Sequence, residues 1–366
     1  MGILPKCFGF SDSEHTSSST HANQFKTQIE ELCHRFSLSQ LRKSTNNFDK
    51  SQLIGRGYFS TVYKGCLHAA TGTTDQTIAI KRMETTSSQR IPNKSDLDKE
   101  FKNEIELLCQ IRHPNVISLI GFCNEKDEKI LVYEYMPNGS LFDQLRREGK
   151  FSNIEPLSWK KRLQICIGAA RGLHYLHTGV KRTIFHRDMK ASNILLDQNW
   201  VPKLADFSLS LRGPHSMPAA KPTTGVHCTL AGTVGFIAPE CYRESMFTDR
   251  SDVYSFGMVL LQVVSGKTLD VIVGMVDKSK LYSKSLASEV FDIVERGKGS
   301  EIIDPFLKGQ IARECWKMFM DIADSCTVPD AADQRPTMGE VELELERALE
   351  LQEEADASAS GDYMIF

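Results

Sequence analysis

Little in this chain suits it to a membrane span, a metal cluster or a nucleic acid. The longest apolar run lies around Met258 to Val264, far short of the roughly 18 residues a spanning helix needs, and no cleavable leader is evident. The ten cysteines stand singly from Cys7 to Cys326, without a C-x-x-C pair or a Cys/His cluster at zinc-ligand spacing. Reduced thiols in a cytosolic compartment follow. There is no cationic excess either: 44 Lys and Arg face 47 Asp and Glu, a formal net charge of -3, which leaves nothing to neutralise a phosphate backbone. No internal repeat is visible. What remains, 366 residues of which 41% are hydrophobic and 25% charged, fits one large bilobal domain with tails.

Residues 1–35 are poor in apolar side chains and rich in Ser, Thr and His (SDSEHTSSSTHANQ). Such a segment buries too little surface to offset its ordering entropy and is expected to be a flexible arm. FSLSQLRKSTNNFD, with Leu38 and Leu41, predicts a short lead-in helix. Strand-like runs follow at SQLIGRGYF, STVYKGCLH and TIAIKRM, with Gly72 in the turn between the last two, which predicts an antiparallel meander. DKEFKNEIELLCQI then carries Phe101, Ile105, Leu108 and Ile111 at helical spacing. Beyond LVYEYMPNGSL helical patterns dominate, among them Leu163, Ile167, Ala170 and Leu173 on a helix that Gly179 can terminate. The expected architecture is α+β, a β-rich lobe with one main helix before a larger helical one. Val341, Leu345 and Leu349 form a stripe amid glutamates, and 350–366 is expected to be an acidic tail without regular structure.

Gly55 and Gly57 in IGRGYFSTVYKG lack the Cβ that would hold backbone amides away from phosphates. Two glycines between strands are more often structural, and Ser60 stands where a dinucleotide fingerprint has its third glycine. Lys81 in IAIK adds an ammonium that can reach α- and β-phosphates, and Glu104 on the next helix can hold it as an ion pair. HRDMKASNILLD is the strongest signal. Within six residues Asp188 can accept the proton of an incoming hydroxyl, Lys190 can neutralise a transferred phosphoryl group, and Asn193 can ligate magnesium. Asp206 in ADFSLS supplies a further carboxylate for the metal.

These motifs, with RHPNVISLIGFC, GTVGFIAPE, SDVYSFG and DQRPTMGEVELELERALELQE, resemble the cytoplasmic kinase domain of plant receptor-like protein kinases of the FERONIA-like, malectin-receptor group. The resemblance covers roughly Phe36 to Leu349 and implies a bilobal eukaryotic protein kinase domain over 36–349. It implies ATP with Mg²⁺, or Mn²⁺ as substitute, and protein substrates bearing Ser or Thr. It places Ile54, Gly55, Gly57, Val62, Ala79 and Leu195 around the nucleotide, Glu134 and Met136 at the adenine hinge, and Tyr133 as the gatekeeper behind it. Leu108, Leu119, Phe207 and His186 would stack as a spine anchored by Asp252. For these apolar positions ordinary core packing is the companion reading. Arg187 would pair with a phosphothreonine, for which Thr223, Thr224, Thr229 and Thr233 are candidates, with Ser216 beside them. Glu240 and Arg335 would form a buried ion pair.

The chain departs from the group's pattern at Ser60, at Ser208 in place of the glycine of D-F-G, and at Phe236 in place of a common tyrosine. Two alternatives therefore stand beside an active serine/threonine kinase: a pseudokinase scaffold that transfers phosphate poorly, and a membrane-tethered adaptor. Gly2 and Cys7 are candidate acylation sites that would put the chain peripherally at the inner face of the plasma membrane, although Lys6 stands where Ser or Thr is expected. With neither ectodomain nor spanning helix in the sequence, the expectation is a receptor-like cytoplasmic kinase coupled to a separate membrane receptor kinase.

Overall fold

The computed structural model of the chain describes residues 33–57, 59–67, 75–83, 94–146, 151, 153, 155–215, 225–268, 271–272, 286–293, 296, 299–329, 331–358 and 361–364. Gly2, Cys7, Gly72, Ser216, Thr223 and Thr224 lie outside them. The described residues divide into two compact units, 33–137 with Asp206–Ser208, and Asn138–Ala205 with 209–364.

The smaller unit is built on a six-stranded sheet in the order β1-β5-β6-β4-β3-β2. Its strands are β1 (His34–Arg35), β2 (Leu53–Arg56), β3 (Ser60–Leu67), β4 (Gln76–Met83), β5 (Leu119–Glu125) and β6 (Glu128–Glu134). The expected meander forms from β2, β3 and β4 by antiparallel pairing. Strand period then sorts β4: Ile78 and Ile80 are fully buried in a core with Leu41, Ile130 and Val132, while Ala79 and Lys81 turn to the other face. Helix α1 (Leu38–Ser44) covers that core. Ser37 starts it with a capping box, its Oγ accepting from Gln40 N at 3.2 Å while Gln40 Oε1 accepts from Ser37 N at 2.8 Å. Helix α2 (Lys94–Leu108) buries Phe101, Ile105 and Leu108 of the predicted stripe, whereas Ile111, also buried, lies past the helix end; Phe101 stands edge-on to Phe122 of β5.

The segment expected to be a flexible arm ends differently. His34 and Arg35 pair in parallel with Gly121 and Phe122, and Phe36 N donates to Phe122 O at 2.9 Å. Main-chain bonding orders these residues, and apolar content is blind to that.

The larger unit is mainly helical: α3 (Leu141–Arg146), α4 (Trp159–His174), α5 (Pro239–Glu244), α6 (Asp249–Ser265), α7 (Leu286–Ile293), α8 (Gly299–Ile302), α9 (Arg313–Cys326) and α10 (Met338–Ala357). Two-stranded pairs join β7 (Arg182–Phe185) to β10 (Leu211–His215), β8 (Ile194–Leu196) to β9 (Pro202–Leu204), and β11 (Val226–His227) to β12 (Met246–Phe247). Helix α4 passes into a wider π turn at Tyr175–Gly179. A Cβ on Gly179 would come within 2.4 Å of the Tyr175 ring, so glycine is required at that stop. Helix α6 is buried on nearly every side, its polar Asp252, Ser255 and Gln262 included.

The acidic tail also differs from expectation. Helix α10 runs on to Ala357, and the chain returns so that Arg313 N donates to Asp362 O at 2.9 Å and Met364 N to Ile311 O at 2.8 Å. Gln352, 1% exposed, accepts from Ala312 N at 2.9 Å and donates to Gln310 O at 3.1 Å. One buried amide thus fixes the last turns, a contact without periodic signature.

Candidate active site

In the smaller unit register assembles one face of the sheet. Val62 opposes Lys81 across β3 and β4, and Ala79 opposes Tyr133 across β4 and β6, so Val62, Ala79, Lys81 and Tyr133 share that face. Between β2 and β3, Gly57 N donates to Ser60 O at 2.8 Å, and a Cβ on Gly57 would meet Ser60 Oγ at 2.6 Å. A side chain at 57 would thus have to displace the Ser60 hydroxyl. At Gly55 a Cβ would only make ordinary contact with Val62 at 3.7 Å. Ile54 is half-buried on β2.

Lys81 Nζ lies 3.0 Å from Glu104 Oε2 and 2.8 Å from Asp206 Oδ1. Burial alone would lower the lysine's pKa, but the Asp206 and Glu104 carboxylates outweigh it and raise it above the ordinary value. The ammonium is therefore held charged. Glu104, buried in the middle of α2, uses its other oxygen to accept from Tyr133 Oη at 2.6 Å and Phe207 N at 3.3 Å. Burial first, and then the Glu104 carboxylate, push the Tyr133 phenol well up, so it stays a neutral donor. Asn103 Nδ2 reaches Phe207 O at 3.2 Å.

Asp206 takes a left-handed backbone, φ 66°, whereas Ser208 is not among the residues with positive φ. The serine therefore fits its place without left-handed strain, and its Oγ donates to Asp206 Oδ1 at 3.1 Å. Glu134 Oε1 accepts from Ser118 N at 2.8 Å, and Met136 is buried just past β6.

In the larger unit the loop between β7 and β8 hangs from α6. Asp252, fully buried, accepts from His186 N at 2.8 Å, Arg187 N at 2.9 Å and His177 Nε2 at 3.0 Å. That grip holds Arg187 at φ 69° and presents Asp188. Asp188 Oδ2 accepts from Lys190 Nζ at 2.6 Å and Oδ1 from Thr233 Oγ1 at 2.6 Å. Lys190 Nζ is 2.8 Å from the same Thr233 oxygen. Asn193 Nδ2 donates to Asp188 O at 2.8 Å and Oδ2 at 3.2 Å. Leu195 is half-buried on β8, bridged to Ser140.

Among the described residues no side-chain anion pairs with Arg187. Its Nη1 donates to Leu209 O at 3.1 Å and its Nη2 to Thr229 O at 2.6 Å, while its buried Nε has no partner among them. Burial lowers its pKa. The Thr229 side chain is exposed, and the Thr233 hydroxyl is already engaged. Arg335 Nη1 and Nη2 hold both oxygens of Glu240, at 2.7 and 2.9 Å.

Sequence motifs brought Asp188, Lys190 and Asn193 together, and Lys81 with Glu104 and Asp206. They did not reveal the Tyr133 phenol on Glu104, the Asn103 amide on the Phe207 carbonyl, or the Thr233 hydroxyl on Asp188. Those contacts join residues 29, 104 and 45 positions apart, and no local pattern links them.

Comparison with known proteins shows the family. The family described as protein tyrosine and serine/threonine kinase matches residues 48–345. Among Arabidopsis thaliana proteins, receptor-like protein kinase ANXUR2 is 44% identical over 330 residues, 89% of this chain and 35% of the relative. Receptor-like protein kinase ANXUR1 is likewise 44% identical over 330 residues, 89% of this chain and 35% of its own length. Receptor-like protein kinase FERONIA is 40% identical over 370 residues, 98% of this chain and 38% of the relative. The chain thus spans little more than a third of the length of these relatives. Among the described residues no helix is long and apolar enough to cross a membrane.

Proposed function

From the premise that this chain belongs to the protein tyrosine and serine/threonine kinase family, we propose that it transfers the γ-phosphoryl group of ATP to serine and threonine hydroxyls, its own and those of other proteins. The observation that carries this reading is the Thr233 hydroxyl, a side-chain alcohol donating to Asp188 at 2.6 Å with Lys190 at 2.8 Å. An acceptor hydroxyl in the same place would give its proton to Asp188 as its oxygen attacks the γ-phosphorus and the bond to the ADP oxygen breaks. Lys190 would balance charge on the moving group. Lys81, kept charged by its two carboxylates, would hold the α- and β-phosphates. Val62 and Ala79 offer apolar surface for adenine, and Gly55, whose side-chain direction is sterically open, lets the main chain approach phosphate.

Each unit carries an oxygen donor of the kind a hard divalent cation takes. Asn193 turns its amide nitrogen to Asp188, which leaves the carbonyl oxygen as a ligand atom, and Asp206 supplies a carboxylate; both are oxygen donors of the kind Mg²⁺ or Mn²⁺ takes. When bound, the ion would neutralise charge on phosphate oxygens. The orphaned Arg187 Nε beside the Thr229 carbonyl supports a phosphate on the neighbouring segment, with Thr223, Thr224, Thr229 and Thr233 as its candidate carriers. The relatives are named receptor-like protein kinases; the reading extends to work beside a separate membrane receptor kinase, where acylation at Gly2 and Cys7 would anchor the chain.

Labelled phosphate from ATP should enter the purified chain and a generic Ser/Thr substrate, and Asp188→Asn should reduce incorporation to background. Equal incorporation by that variant would remove Asp188 from the reaction. No incorporation by the parent would leave a nucleotide-binding scaffold.

A further inference from the structure

The segment Asp206–Ser208, which belongs to the smaller unit, runs against the preference of its first residue. Asp206 holds φ 66°, a left-handed backbone that a residue with a Cβ keeps only where its surroundings over-determine it. Phe207, the next residue, is fully buried, so its N–H and C=O need partners away from water. Two consecutive residues of α2 supply them. Glu104 Oε1 accepts from Phe207 N at 3.3 Å, and Asn103 Nδ2 donates to Phe207 O at 3.2 Å and reaches Ser208 O at 3.5 Å. Successive side chains leave a helix about 100° apart, so α2 grips the segment from two directions.

Asparagine is a weak helix former, because its amide competes for the backbone, yet Asn103 stands well inside α2. It is half-buried, and both atoms that its nitrogen faces are carbonyl oxygens. Only the NH₂ end of an amide can meet such a pair. Aspartate has the same shape and would present oxygens alone, so the position asks for a donor and not merely for a side chain of that size. Beyond that donor lies a functional carboxylate. Asp206 Oδ1 is held by Lys81 Nζ at 2.8 Å and by Ser208 Oγ at 3.1 Å, while the side chain stays 37% exposed.

Granting the phosphoryl transfer proposed above, on which this rests, we infer that Asn103 is a positioning residue for it. With Glu104 it fixes the main chain at Phe207 and so keeps the Asp206 carboxylate on Lys81, presented to a divalent cation. Asn103 touches no reacting group and acts through Phe207. Because it shares a helix with Glu104, a displacement of α2 would release the Lys81 pair and the Phe207 main chain in one movement. Cation binding by Asp206 and phosphate binding by Lys81 would then rise and fall together.

Asn103→Asp keeps the shape and sets a carboxylate against two carbonyl oxygens. In a deuterium time course of the full chain, peptides covering Asp206–Ser208 should exchange faster than in the parent, while those covering Ile80 and Val132 in the core keep the parent's rate. Mn²⁺ affinity in the presence of ADP, read by electron spin resonance, should fall about three- to tenfold, as expected for the loss of one or two hydrogen bonds. Asn103→Gln retains the NH₂ group and should recover most of the protection, whereas Asn103→Leu, of similar size without a donor, should not. A purely steric role would reverse this order, with Asn103→Asp the mildest change, and overturn the inference. So would parent-like exchange and Mn²⁺ affinity in Asn103→Asp, or faster exchange spread evenly over the smaller unit. Should Asn103→Asp fail to fold, Asn103→Leu carries the same outcomes. A parent that transfers no phosphate would instead defeat the proposed function, and the exchange and Mn²⁺ readings would still decide the role of Asn103.

Discussion

At the scale of single residues, Tyr133 acts through its hydroxyl as well as its ring. Its phenol is one of three donors to the buried Glu104, with Lys81 at 3.0 Å and Phe207 N at 3.3 Å. Tyr133→Phe keeps the ring and deletes the 2.6 Å bond, which should cost about 1.5 to 3 kcal/mol, as for other hydrogen bonds to a charged group. Denaturant unfolding measures this; an unchanged midpoint would mean that solvent replaces the phenol. Ser208 permits the opposite test. Its hydroxyl holds Asp206 Oδ1 at 3.1 Å from a backbone outside the left-handed region. Ser208→Gly exchanges that bond for conformational freedom, and turnover should shift by about tenfold or less, the equivalent of ~1.4 kcal/mol. A parent without transfer that gains a full rate from this one change would make the native chain a scaffold. The serine was legible in the sequence as a departure, but its consequence was not, because φ depends on how Asn103 and Lys81 hold the neighbouring residues.

At the scale of elements, α5 is bound to the loop before α10 by the Glu240 to Arg335 pair. Arg335 is 2% exposed and also donates to the carbonyls of Val328 and Arg250. Losing one partner of such a pair costs about 3 to 5 kcal/mol, mostly from the charge left behind. Burial would raise the Glu240 pKa, but Arg335 outweighs it and the carboxyl ends below its ordinary 4.5. A depressed folded pKa stabilises at pH above the unfolded value and ceases to as pH falls through the folded one. Glu240→Gln should therefore unfold more easily than the parent at neutral pH, and the gap should close as the solution is acidified below about 4.5. Melting temperatures across that range test it, and a constant gap would contradict the pairing. This ion pair was legible from its motifs, as were the helices with strong stripes. Strand β1 was not, since a two-residue parallel pairing leaves no alternation to read and depends on β5, more than eighty residues away.

At the scale of the whole molecule, the end of the chain belongs to the fold. Truncation after Leu349 would remove Gln352 and the returning segment, leaving Ala312 N and Gln310 O without their amide partner. Those two bonds alone predict a loss of about 1 to 3 kcal/mol in unfolding free energy, read by denaturant unfolding of the truncated chain against the parent. Composition suggested a solvated tail because glutamates dominate it, and one buried glutamine decided otherwise. The most far-reaching attachment is the one at Asp252. Because the amides of His186 and Arg187 end on a carboxylate inside α6, they can meet solvent deuterium only when that helix lets go. Loop amides ordinarily exchange through local fluctuation. These two should instead keep their protons as long as the amides of Val259 and Leu260 do, so in a deuterium time course the loop would report the global opening of its unit and not its own.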